Sequence, residues 1–299
     1  MFETTLFLAC WDSSIGYLTK NGECLPFFFK KSPQRSFTMK SKLPLVLSIA
    51  LFFGFNTVYG HNKPNANFST KMIVTIDGGS ATKKSPISRA IAKKFDLLYL
   101  ETGAIYRTVT YALMKAGIEP EIGNKRRADK FLAKAKFKCF VQDGIVQFSV
   151  NDIHLSAKEM RSKEINGNVA KYSSTFKSVS DFCTKCALDV LNSREFAEHK
   201  GLIAEGRTCG IILFPDADLK FWFIALESAK LDFRLNIEKE EDNPVERDEL
   251  DSKRAFYPMT EPENAIVVWT SSRVMEANIA LVAAFVEQKL DVKLHAGQK

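Results

Sequence analysis

Residues able to do chemistry first concentrate at Gly78-Gly79-Ser80-Ala81-Thr82-Lys83-Lys84-Ser85, a loop that starts on glycine and ends on a cation and a hydroxyl. The apolar run 72–76 precedes it and a helical pattern follows, giving a strand–loop–helix connection of the kind that cradles phosphate. Successive backbone N–H groups and the positive helix end would surround the phosphates. Lys84 would bridge the outer ones and Ser85 would take a place on Mg²⁺. Gly78, Gly79, Lys83, Lys84 and Ser85 are therefore the candidate nucleotide-binding residues, with Ser85 the candidate metal ligand. Lys83 stands where such loops carry glycine, in a conformation expected to cost a side-chain-bearing residue about 1 kcal/mol or more. Pro86 has no N–H to offer in the first helical turn. Taken alone, these eight residues do not exceed an ordinary strand–loop–helix connection.

Three later segments change that balance. Leu98-Tyr99-Leu100-Glu101-Thr102-Gly103-Ala104-Ile105-Tyr106-Arg107 is similar to the YLDTGAxYR segment of cytidylate kinases. Gly206-Arg207, with Gly210 and Phe214-Pro215-Asp216-Ala217, resembles GRDxGT…FPDA, and Arg247-Asp248-Glu249-Leu250-Asp251-Ser252-Lys253-Arg254 resembles RDxxDxxR. Together with the loop they span roughly 220 residues in consistent order, which a chance motif match does not do. The chain thus resembles the cytidylate kinase family of nucleoside monophosphate kinases.

The resemblance implies a three-layer α/β/α fold with a five-stranded parallel sheet, an inserted monophosphate-binding lobe and a shortened lid. It implies transfer of the terminal phosphoryl group of ATP to CMP or dCMP with Mg²⁺, a reaction run by positioning and charge neutralisation. By the same resemblance Lys84, Arg247 and Arg234 are the catalytic candidates. Thr102 and Arg107 would contact the acceptor, Arg207 and Arg254 would clamp base or phosphate groups, and Asp251 would hold sugar hydroxyls. Guanidinium forks suit such work because they grip phosphate oxygens in pairs and stay charged. Read without the resemblance, Arg247 and Arg254 with Asp248 and Asp251 are ordinary i,i+3 and i,i+4 pairs on one helix.

Several positions depart from the family pattern. Thr208 replaces the Asp that recognises cytosine, and Ser180 stands where a helix arginine is expected. The lid keeps Arg234, with leucines at 231 and 235, where several arginines belong. Glu101 and Glu205 replace acids and keep the charge. These departures frame the alternative expectation, a catalytically impaired exported protein acting by nucleotide or protein binding.

The elements that must position these residues follow from periodicity. Apolar runs at 72–76, 97–100, 202–204, 221–226 and 265–269 read as strands. Helical patterns lie at 85–95, 104–116, 176–197, 228–240 and 273–289, an alternation that predicts a parallel sheet covered on both faces. Asp143-Gly144 between the alternating runs 137–141 and 145–150 signals a hairpin. It opens an inserted lobe spanning about 137–171 within a domain at 71–292, followed by a tail at 293–299.

Composition is ordinarily globular, with 45% apolar and 26% charged residues. Residues 39–60 differ. Met39-Lys40-Ser41-Lys42 precedes an apolar run to Phe55 and a small-residue exit at Val58-Tyr59-Gly60, the layout of a signal peptide beginning at Met39. Residues 61–70 read as a linker. The expectation is an exported chain, with an N-terminal membrane anchor as the alternative and residues 1–38 as a non-native extension. Six of the 42 basic and three of the 35 acidic residues precede His61, so the remainder is close to neutral. No dense Lys/Arg stripe favours nucleic acid. No stable membrane span is expected after cleavage, and the chain is expected to be a monomer. Cys183 and Cys186 form a C-x-x-C spacing on a helical stretch with no second pair, and they read as structural cysteines.

Overall fold

The computed structural model describes residues 15–20, 23–28, 71–238, 243–271 and 274–296. The proposed signal segment 39–60 and linker 61–70 lie outside the described residues. The chain divides into two units, 1–69 and 70–299. In the first, β1 (Ile15–Lys20) and β2 (Glu23–Phe28) pair as an antiparallel hairpin, an element not expected from the sequence of residues 1–38.

The second unit is an α/β sandwich. Its strands are β3 (Met72–Gly78), β4 (Leu97–Glu101), β5 (Phe137–Gln142), β6 (Ile145–Val150), β7 (Gly201–Gly206), β8 (Leu219–Ile224) and β9 (Ile266–Trp269), in the spatial order β5-β6-β4-β7-β3-β8-β9. The sheet therefore has seven strands, not five. The five expected strands are the parallel core β4-β7-β3-β8-β9. The Asp143-Gly144 hairpin, expected inside a separate lobe, instead extends the sheet, because β6 meets β4 at Tyr99↔Ile145.

The helices are α1 (Lys84–Phe95), α2 (Thr102–Lys115), α3 (Lys125–Lys134), α4 (Ala157–Met160), α5 (Lys163–Thr175), α6 (Lys177–Asp189), α7 (Arg194–Glu198), α8 (Glu227–Asp232), α9 (Pro244–Ser252) and α10 (Met275–Ala296). The single helix expected over 176–197 is broken into α6, a short turn at Val190–Asn192, and α7, whose start is capped by the Ser193 hydroxyl. The expected 228–240 helix starts as α8 and widens into a π-helical segment, Phe233–Glu238.

Alternation along the strands separates the two faces. Met72, Val74 and Ile76 of β3 join Ile87 and Ile91 of α1, Phe221 and Phe223 of β8, and Val282 and Val286 of α10 in one apolar cluster. Leu98, Leu100, Leu202 and Ala204 are equally buried on the other face, towards α2, which contacts β6 and β7. A phenylalanine such as Phe221, fully buried here, contributes several kcal/mol. In register, Asp77 pairs with Gly206 and Glu101 with Glu205, so three strands end at one level. The first strand–helix connection and the Gly206-Arg207 turn open at that level, the place where open α/β sheets bind ligands.

Candidate active site

β3 ends on Gly78 with φ +146, and a Cβ there would lie 2.2 Å from the Phe223 carbonyl oxygen of neighbouring β8. Only glycine fits that turn. The loop then takes left-handed backbone at Ala81 (φ 54) and at Lys83 (φ 61). The second is the strained position expected from the sequence; the first is not, since alanine carries no sign that its position needs positive φ. The Lys83 side chain leaves the cradle, and its ammonium stands 4.8 Å over the Phe233 ring. Burial lowers its pKa while Asp232 and Glu276 oppose that. The α1 N-terminus has neither a side-chain cap nor an acidic residue in its first turn, so its leading N–H groups favour an anion.

Lys84 is 6% exposed and donates to the Gly79 carbonyl and to Thr82 Oγ1 at 3.2 Å. Burial and then Arg207 lower its pKa to about 7, against Glu205, Asp248 and Asp77. Ser85 Oγ donates to Glu205 Oε1 at 2.7 Å, and the other oxygen accepts from the Tyr99 hydroxyl. Burial, with Glu101 nearby, raises the Glu205 carboxyl. Asp77 accepts from the N–H groups of Cys209 (2.8 Å) and Gly210 (2.7 Å) and so anchors the turn that carries Arg207. Thr102 Oγ1 donates to the Glu205 carbonyl at 2.8 Å, tying the start of α2 to β7.

Arginines from four separate segments meet beside this loop. Arg207 bonds Asp251 Oδ2 at 2.7 Å through Nε and the Gly78 carbonyl at 2.7 Å through a terminal nitrogen. Arg254 takes the other Asp251 oxygen. The i,i+3 pair read from the sequence thus exists, but Asp251 is 1% exposed, so it is no surface pair. Burial raises the Asp251 carboxyl, yet Arg207, Arg254 and Arg247 outweigh it and hold it below its ordinary value. Arg107 bonds Glu101 Oε1 at 3.0 Å and Asn166 Oδ1 at 3.1 Å. Arg234, from the lid, donates to Ser80 Oγ at 2.6 Å. Arg247 sits among them, and burial together with Arg107 and Arg207 lowers its pKa to about 10. Arginine normally stays charged far above that value, so burial and neighbouring cations both disfavour its charge in the free chain.

These residues line one cleft, which also takes in Tyr106, Arg161, Thr208 and Phe233. Gly78 and Gly79 shape the loop behind it. Ser180 is buried on α6 within reach of the Tyr106 phenol, whose pKa burial raises. Lys230 was not anticipated; it pairs with Asp248 at 2.7 Å against the loop. Nothing short of tertiary structure brings 230 to 79. The Ser85–Glu205 oxygens suit a hard cation. Among the described residues no group of three or more His, Cys, Asp or Glu side chains is placed to hold a metal ion. Cys183 and Cys186 are buried side chains of α6, and burial raises both thiol pKa values, which disfavours the reactive thiolate.

A parallel sheet with a glycine-started phosphate loop at its strand ends defines a nucleotide-binding α/β domain of the P-loop class. The family model for cytidylate kinase matches residues 74–288. The chain is 26% identical over 219 residues to the cytidylate kinase of Clostridioides difficile, covering 69% of this chain and 93% of that protein. It is 31% identical over 229 residues to that of Chlamydia felis, covering 71% and 98%. The chain belongs to the cytidylate kinase family.

Proposed function

We propose that the chain transfers the terminal phosphoryl group of ATP to a pyrimidine nucleoside monophosphate, CMP or dCMP in the first instance. The observation that carries this reading is the arginine cluster. Arg107, Arg207, Arg234, Arg247 and Arg254 converge beside the loop, where Glu101 pairs with Arg107 and Asp251 with Arg207 and Arg254, and burial followed by Arg107 and Arg207 depresses Arg247 to about 10. A preorganised, cation-rich and partly desolvated cleft stabilises charge that spreads over a transferring phosphoryl group.

In this reading the loop N–H groups and Lys84 hold the donor phosphates, and Arg234 reaches over them from the lid. Arg247 lies between donor and acceptor. Arg107 meets the acceptor phosphate, while Arg207 and Arg254, aligned by Asp251, hold the sugar and base end. Ser85 and Glu205 would hold Mg²⁺, which neutralises phosphate charge when bound. The base end carries the Thr208 hydroxyl in place of a carboxylate. A hydroxyl both donates and accepts, so discrimination between the cytosine and uracil monophosphates should be modest. Residues 39–60 support export as the setting for this activity.

The test is an acceptor panel of CMP, dCMP, UMP and AMP with ATP and Mg²⁺. Lys84-dependent phosphorylation of at least one pyrimidine monophosphate is expected, with Arg107→Ala raising the acceptor KM at least tenfold. No transfer to any acceptor above a Lys84→Ala control would refute the reading.

A further inference from the structure

Asp248 follows Arg247 on α9, and its carboxylate is aimed at the phosphate loop. Its Oδ1 accepts from the Ser80 N–H at 2.5 Å and its Oδ2 pairs with Lys230 Nζ at 2.7 Å. A Cβ built on Gly79 would lie 2.3 Å from that Oδ2 and 3.2 Å from Lys230 Nζ. The carboxylate thus fills the space that the missing side chain of Gly79 leaves open over the backbone. A loop N–H and an ammonium are the partners that a phosphate oxygen would seek there. Arg234 closes the other side of Ser80 through its hydroxyl. Lys230 and Arg234 both belong to the lid segment, so the acid on α9 joins the lid to the loop. Both partners of the Lys230–Asp248 pair are at most 15% exposed at the side chain, so solvent screens it little.

We propose that Asp248 is an internal competitor for the phosphate loop, one that an incoming polyphosphate must displace from the Ser80 N–H before it can seat. Two anionic oxygens cannot share that N–H, so the affinity for nucleotide is reduced by the fraction of molecules in which Asp248 holds it. Displaced, Asp248 keeps Lys230 as its partner, and the lid moves with it. This inference rests on the reading of the cleft as a nucleotide site.

Calorimetric titration of the full chain with ATP, and separately with inorganic tripolyphosphate, tests it in the wild type and in Asp248→Asn, Asp248→Ser and Lys84→Ala variants. Both Asp248 variants should bind both ligands at least tenfold more tightly than wild type. Amide exchange at Ser80, slow in the nucleotide-free wild type, should accelerate at least tenfold in either. Wild-type binding that depends on Lys84 but is unchanged or weakened in both Asp248 variants would overturn the competitor and leave the nucleotide site standing. Absence of binding in every form would overturn both.

Discussion

Lys84 is a cation buried beside another cation, Arg207, and its pKa of about 7 in the free chain reflects both. Phosphate oxygens would restore the charged form, so the pKa in the complex should lie well above the free value. Between those two values nucleotide binding must take up a proton, and affinity must fall as pH rises above about 7, by up to tenfold per unit. Titrations at pH 8 in buffers of different ionisation enthalpy should report proton uptake approaching one, against little at pH 6. A Lys84→Arg variant should lose the dependence. At the same scale, the left-handed backbone at Lys83 was legible because a loop of this length demands it there. The destination of its side chain, over Phe233, was not, since that aromatic arrives from the lid 150 residues later.

Among the elements, the β3–loop–α1 unit carries a tight geometric constraint at the loop's first residue. A methyl at Gly78 would collide with the Phe223 carbonyl while demanding φ +146, so Gly78→Ala should cost about 3 kcal/mol or more, read as a lowered urea midpoint. The parallel strands were legible from apolar runs. Strands β5 and β6 were expected in a lobe apart from the sheet because a hairpin's sequence specifies its own turn but not the strand edge it joins; here that edge meets β4 at the Tyr99↔Ile145 bridge. The break between α6 and α7 was hidden by continuous helical periodicity across Val190–Asn192. Arg234 ties the lid segment to the loop through the Ser80 hydroxyl, and Arg234→Ala should raise the KM for ATP severalfold with little change in the acceptor KM.

Across the whole molecule, four distant segments were legible as members of one site because each kept its residue types in order. Their mutual pairing was not: Asp251 joins Arg207 across 44 positions and Arg254 across three. A ligand confined to the folded state at a hundred times its Kd should stabilise the domain by about 2.7 kcal/mol, and ATP should do so for the wild type but not for Lys84→Ala. The measurement closest to the central claim is single-turnover transfer from ATP to CMP, run beside denaturation of wild type, Lys84→Ala and Arg247→Met. Because burial, and after it Arg107 and Arg207, disfavour the Arg247 charge against the pull of Asp251, removing that charge should leave stability within about 1 kcal/mol or raise it, while transfer falls at least a hundredfold. Equal transfer rates in all three proteins would contradict the account, as would a loss of transfer in Arg247→Met that merely tracks lost stability.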